Sequence, residues 1–359
     1  MLAEFLLNLN GERTRKKILV IESDDWGSIR MPNQTAYKSL LDLGIPVNHS
    51  AYCKFDTLES NQDLANLLEV LSKVKNAKGE SPKLTANFVV SNPDFEKIKQ
   101  ENFTTYFSEP ITKTFQSLTP SSKVIDIALE GADIGIFKPQ FHGKEHVNVP
   151  FWLQLLTTNK DFKDAFDYGL WGLSKDIFPE MSKSVQATYH SNDDVYVKNS
   201  IATGLNLFEE IFGFRSRSFI PNNYIFPSHL VGFLSSQGIE VLQGMKYLLS
   251  PSTVNDSLVK FRRKFGRDSS GLTHLVRNCR FEPSEQGTKV DQTLKEIAMA
   301  FFLKKPAVIS SHRINFVGGL SEKNRDENLI EFQSLLQSVV QQWPDVEFLF
   351  SNEITREIQ

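Results

Sequence analysis

Seven short apolar runs recur along this chain, and stretches of helical periodicity lie between them. The runs are KKILVIES (16–23), KLTANFVVS (83–91), ADIGIFKPQFHG (132–143), SRSFIPNN (216–223), GIEVLQGM (238–245), PAVISSHRINF (306–316) and VEFLFSNEI (346–354). Several are bounded by polar or turn residues, as strands buried on both faces are. Helical spacing of apolar residues marks NQDLANLLEVLSKVKN (61–76), DVYVKNSIATGLNLFEEIFG (194–213) and ENLIEFQSLLQSVVQQWP (327–344). The second of these ends on Gly213 and the third before Pro344, both ordinary helix stops. Strands alternating with helices form parallel β/α units. About seven units without a glycine-rich dinucleotide fingerprint favour an α/β barrel over a doubly wound sheet. PSTVNDSLVKFRRKFGRDSSG (251–271) is polar and basic and reads as a surface excursion. No repeat or linker divides the chain, so one barrel domain over residues 1–359 is expected.

The bulk composition narrows the function. The chain is 40% hydrophobic and 23% charged, with a formal net charge of −3. That is ordinary for a soluble globular protein, and the lack of a basic excess argues against a nucleic-acid partner. Two cysteines, Cys53 and Cys279, form no disulfide framework and fit a reducing compartment. The opening MLAEFLLNLNGERTRKK puts its cations after a short apolar patch. An export signal has the opposite order, and the patch is too short to span a bilayer. Leu2 and Phe5 to Leu7 therefore read as packing residues, and the expectation is a cytoplasmic protein without membrane insertion.

In β/α barrels the chemistry gathers where the strands end. The first run ends on Asp24 and Asp25, and the third is followed by His142 and His146 in FHGKEHVN. Pro221, Asn222, Asn223 and Tyr224 follow the fourth, and His312 and Arg313 close the sixth. An aspartate and two histidines make an open site for a divalent cation: zinc first, with cobalt, nickel or iron also suited. Three protein ligands leave a position for water, which the cation acidifies, and a second carboxylate nearby can act as general base. Adjacent strand residues point to opposite faces, so both aspartates reach one site only if the chain turns there; Trp26-Gly27 is a credible turn. An Asp pair after a strand is otherwise a helix cap or turn. Trp26 and Trp152 read first as packing residues, with Trp26 also a candidate sugar contact. HGKEH matches the H-x-x-E-H zinc-peptidase signature too, with Glu145 as base. Gly143 inside it and Pro150 after it make a continuous helix there unfavourable.

Taken in order, ESDD, HGKEH, SFIPNNY and AVISSH resemble the motifs of the polysaccharide deacetylase superfamily, the carbohydrate esterases with the NodB homology domain. The PAVISSHRINFVGG and HGKEHVN segments look like a bacterial polysaccharide (de)acetylase subgroup. The resemblance spans about residues 16–355. It implies a distorted (β/α)7 barrel in which Asp25, His142 and His146 hold the metal, Asp24 is the base and His312 the acid that protonates the departing amine. It also implies a carbohydrate partner, an N-acetylated sugar in a polymer, oligomer or glycan precursor. Trp26, Pro221, Asn222, Asn223, Tyr224 and Arg313 are the candidate substrate contacts. Two positions depart from the pattern. Gly143 replaces a small hydroxyl residue, and Ile220 stands where the family has an arginine that orients the base. Arg215, Arg217 or Arg313 are candidate replacements from another direction. The alternative is a carbohydrate-binding barrel that keeps the metal with little catalysis.

Overall fold

A computed structural model describes residues 2–181, 183–187, 193–252 and 257–357. The central element is a ring of parallel strands: β1 (Ile18–Trp26), β2 (Leu84–Phe88), β3 (Phe137–Phe141), β4 (Ser218–Phe219), β5 (Val241–Gly244), β6 and β7 (Ala307–His312). β6 comes in two pieces, Thr273–Val276 and Cys279–Arg280. Its first piece pairs with β5 and its second with β7, and β7 pairs with β1, so the circuit closes. The hand-over falls at Arg277 and Asn278: the Arg277 amide donates to the Gly244 carbonyl and the Asn278 amide to the Val308 carbonyl. The chain is thus an α/β protein built on a distorted (β/α)7 barrel.

The expected strand count is met with a different membership. Residues 273–280, not 346–354, form the missing wall. The run at 346–354 supplies only a short strand, Glu347–Leu349, which pairs with the first residues of β1 on the edge that β2 occupies further along. It then turns into the 3-10 helix Ser351–Glu357. The run at 132–143 is likewise part helix, Val124–Asp133, and strand only from Phe137. The basic excursion at 251–271 contributes a two-stranded hairpin, Tyr247–Pro251 with Leu258–Arg262; residues 253–256 lie outside the described residues.

The helices fall close to where periodicity puts them. Asn61–Lys73 starts in a capping box, with the Ser60 hydroxyl accepting from the Asp63 amide and the Asp63 carboxylate accepting from the Ser60 amide. Asp194–Phe212 stops at Gly213 in the left-handed conformation, φ 75°. Glu322–Gln342 starts earlier than expected, behind an N-cap at Ser321.

Strand alternation sorts β1 into two faces. Leu19, Ile21 and Trp26 pack outward into the large core between barrel and helices. Ile18 and Val20 point inward and meet Val241, Leu275, Val308 and Ile354 at the floor of the barrel. Glu22 and Asp24 follow on the inward side, above that floor. A second apolar core, including Met31, Leu40, Trp152 and Trp171, is built mainly from the segments inserted after β1 and β3, with Ile98 from the segment after β2 and Leu320 from the one after β7. Those segments leave the C-terminal strand ends, so this core walls the mouth of the barrel.

Candidate active site

The end of β1 is irregular for an identifiable reason. Its register against β2 shifts between Ser23 and Trp26, a bulge that adds one residue. Asp25 sits at φ 74° and Gly27 at φ 78°, and the Ser28 amide closes the turn on the Asp25 carbonyl at 3.2 Å. A left-handed aspartate costs about 1–3 kcal/mol unless its surroundings hold it. Here it lets two consecutive carboxylates reach one cavity. A side chain at position 27 would come within 2.8 Å of the Val89 carbonyl, so only glycine fits.

Asp25 Oδ1 lies 3.0 Å from His146 Nε2 and 3.5 Å from His142 Nε2. The ligand atoms of the three residues lie within 4.8 Å of one another, and all three side chains are buried. His142 Nδ1 donates to the Ile220 carbonyl at 2.9 Å, which leaves the Nε2 lone pair facing Asp25. Burial, reinforced by the charge of Arg30, holds the His146 imidazole down to about 4, so it is neutral at pH 7. Burial opposes the charge of Asp25, but Arg30 and His146 outweigh it and hold the carboxyl well below the usual range. Arg30 approaches Asp25 Oδ2 at 3.1 Å and lies against the Trp171 and Tyr52 rings. One ionised carboxylate and two imidazole nitrogens that converge on one point fit a divalent cation.

Asp24 lies next door in a different setting. Arg277 grips both its oxygens, at 2.6 and 2.7 Å, and binds Glu22 Oε2 at 2.6 Å. The Asn87 amide group donates to Asp24 Oδ1 at 2.8 Å. Burial would raise the Asp24 carboxyl, but the charge and hydrogen bonds of Arg277 bring it down to about 2. Across the cavity His312 Nε2 stands 3.7 Å from Asp24 Oδ2, and His312 Nδ1 donates to Glu282 Oε1 at 2.6 Å. Burial disfavours the imidazolium, yet Glu282 holds the His312 pKa well above the ordinary histidine value. Asn315 donates to Glu282 Oε2 at 2.8 Å and fixes that carboxylate in turn.

These groups line a cavity of 720 Å³ at the C-terminal ends of the strands, within the usual range of ligand sites. Asp24, Asp25, His142, His146 and His312 all reach it, as do Pro221, Asn223 and Tyr224. The remaining candidates are placed elsewhere. Trp26 is fully buried on the outward face, packed on Phe88 and Phe137 with its indole N–H on Ser23. Asn222 donates to the His142 carbonyl and positions the histidine loop. Arg313 is sealed in ion pairs with Asp56 and Glu59. Arg215 and Arg217 pair with Glu209 and Glu240 away from the cavity. The arginine that holds Asp24 is Arg277, between the two pieces of β6.

Glu282, Tyr52 and Arg30 also line the cavity without standing out in the sequence. The signal for Arg277 was present: LTHLV follows Gly271, and the polar residue ending that run is Arg277. The HGKEH segment is not helical, and Gly143 has φ 114°. Glu145 is buried outside the described cavity lining, where burial pushes its carboxyl up to about 7.

No protein-family model and no curated protein sequence matches the chain. Solved structures similar to it include a 4-alpha-glucanotransferase from Thermococcus litoralis, at 9% identity and TM-score 0.49. That match covers 97% of this chain and 41% of the glucanotransferase. The Xyl-CE4 domain of a multidomain xylanase from the hindgut metagenome of Trinervitermes trinervoides matches at 11% identity and TM-score 0.39, over 95% of this chain and 91% of the domain. A CE4 family pseudoenzyme from Bacillus anthracis matches at 10% identity and TM-score 0.40, over 96% and 68% of the two chains. At these values the comparisons add nothing to what the residues themselves show: a seven-stranded β/α barrel whose mouth holds a buried Asp–His–His cluster beside an arginine-held carboxylate.

Proposed function

We propose that the protein is a metal-dependent hydrolase that removes an acetyl group from an N-acetylated sugar in a polysaccharide, oligosaccharide or glycan precursor. One observation carries the reading: a cation-ready triad, an ionised carboxylate and a protonated imidazole share one cavity. A divalent cation held by Asp25, His142 and His146 would supply Lewis acidity to the acyl carbonyl and acidify water. Zinc suits the donor set, and cobalt, nickel or iron are compatible with it.

The protein groups divide the proton work. Asp24 accepts the proton of the attacking water as the new C–O bond forms. Arg277 keeps that carboxylate ionised and aimed. His312 donates from Nε2 to the sugar nitrogen as the C–N bond breaks, releasing acetate and an amine. Glu282 keeps His312 charged for that step.

The test is acetate release from a panel of N-acetylated oligosaccharides, with and without chelator. Turnover that chelator removes and added metal restores supports the reading. Glu145→Gln leaves turnover intact on this account; loss of turnover there, with metal retained, supports a peptidase-type use of HGKEH instead.

The acid has its own signature. A histidine whose pKa is raised donates below that value, so activity falls only as pH climbs through it. The alkaline limb of kcat/KM is therefore expected well above the ordinary histidine range. In Glu282→Gln the limb moves down by about 1–3 pH units. A pH profile of both proteins checks this; an unmoved limb removes His312 from the acid role.

A further inference from the structure

Arg30 takes no part in the proton work above, yet it lies in the cavity wall at only 4% exposure. Its Nε and Nη1 have no hydrogen-bond partner among the described residues. A buried cation left without hydrogen bonds is costly, and such a group calls for a reason beyond packing. Arg277, by contrast, donates from all three of its nitrogens. Two rings and two carboxylates hold Arg30 in place. Its guanidinium carbon is 5.0 Å from the Trp171 ring centroid and 5.5 Å from that of Tyr52. Trp171 also donates its indole N–H to the Ile29 carbonyl at 2.6 Å, and the Ile29 amide donates to Asn92 Oδ1 at 2.8 Å, so the backbone beside Arg30 is pinned. The carboxylates are unequal partners. Arg30 Nη2 lies 3.1 Å from Asp25 Oδ2, whereas Nε lies 3.6 Å from Asp56 Oδ2, beyond hydrogen-bond length. The other oxygen of Asp56 faces Arg313, and the other oxygen of Asp25 faces His146 and His142.

We infer that Arg30 is a positioning residue for the cation site: it occupies Asp25 Oδ2, leaves Oδ1 as the donor, and tempers the affinity of the site with its own charge. The inference rests on the metal-binding part of the reading above and not on the identity of the substrate. With Oδ2 turned to a guanidinium, the carboxylate offers an ion one oxygen and less than its full negative charge. A carboxylate behind a histidine ligand makes that ligand more basic and binding tighter. A guanidinium behind a carboxylate ligand does the reverse, and it also repels the ion directly. The site then holds its cation less tightly and leaves it a stronger Lewis acid. An arginine that merely filled space would act with the opposite sign, since its loss would loosen the site and weaken binding.

The test reads zinc affinity alone, by competition between the full chain and a chromophoric chelator, with no substrate present. Arg30→Met is expected to bind zinc about 10–100-fold more tightly than the wild type, the span over which outer partners move metal affinity. Tighter binding also shows as a larger rise in Tm on adding zinc. Arg30→Lys, which keeps a cation, is expected to stay much closer to the wild type than the methionine variant does. Asp56→Asn leaves Arg30 to Asp25 alone and is expected to bind zinc more weakly, so the sign can be read even if Arg30→Met folds poorly. Zinc binding by Arg30→Met that equals or falls below that of the wild type, or tighter binding by Asp56→Asn, overturns the inference and leaves the cation site standing. A wild-type chain that binds no zinc overturns both.

Discussion

Asp24→Asn is expected to lower turnover on an N-acetylated saccharide by about 10²–10⁴-fold, the range of a lost general base. The change is nearly isosteric, and the asparagine still accepts a hydrogen bond from Arg277, which otherwise holds Asp24 at 2.6 and 2.7 Å. What disappears is the negative charge that accepts the water proton. Asp25, His142 and His146 are untouched, so metal content is expected to stay at the wild-type level. Rate and metal content measured on the same preparation separate this from damage to the metal centre. A variant that keeps both rate and metal removes Asp24 from the mechanism.

Arg277→Met should be costly in stability as well as rate. Arg277 has no exposure and neutralises two carboxylates that have almost none, Glu22 and Asp24. Removing one partner of a buried ion pair costs about 3–5 kcal/mol, because the abandoned charge is left in a poor solvent. The sign of the pH dependence follows. In the wild type Asp24 is held at about 2, below its unfolded value, so its contribution is present at neutral pH and lost only as pH falls through that value. Without the guanidinium, burial dominates and the folded pKa rises above the unfolded one. The variant's deficit then grows above the unfolded pKa and shrinks on acidification. Urea unfolding at pH 7 and near pH 4 should show the gap between the two proteins narrowing at the lower pH. A constant gap would mean that the loss is one of packing.

The sequence exposes those parts of the site that follow long apolar runs. Asp24 and Asp25 close a nine-residue strand with no exposed position, and His312 ends a six-residue one. Their place at the mouth is legible because a buried parallel strand leaves little choice of where polar residues go. Arg277 and Glu282 escape because β6 is short, interrupted and carries Thr273, His274 and Asn278 among its apolar residues. Pairing with different neighbours on its two halves is a tertiary property that no periodicity encodes. Trp26 shows the opposite failing. Its closeness to the aspartates suggests a ligand contact, but the bulge at the end of β1 leaves it facing Phe88 and Phe137. The run at 346–354 has a good strand pattern, yet β2 already holds the upper half of the β1 edge it pairs with.

Asp25, His142 and His146 are expected to bind a divalent cation together, and the proposed hydrolysis depends on it. The most direct measurement is a crystal structure of the protein loaded with zinc, with anomalous scattering collected at the metal edge. The expected result is one strong peak among these three side chains, with Nε2 and carboxylate oxygen ligands at about 2.0–2.2 Å, and none in an Asp25→Ala, His142→Ala variant. A loaded crystal with no peak there, or with its cation held by other residues, would contradict the account.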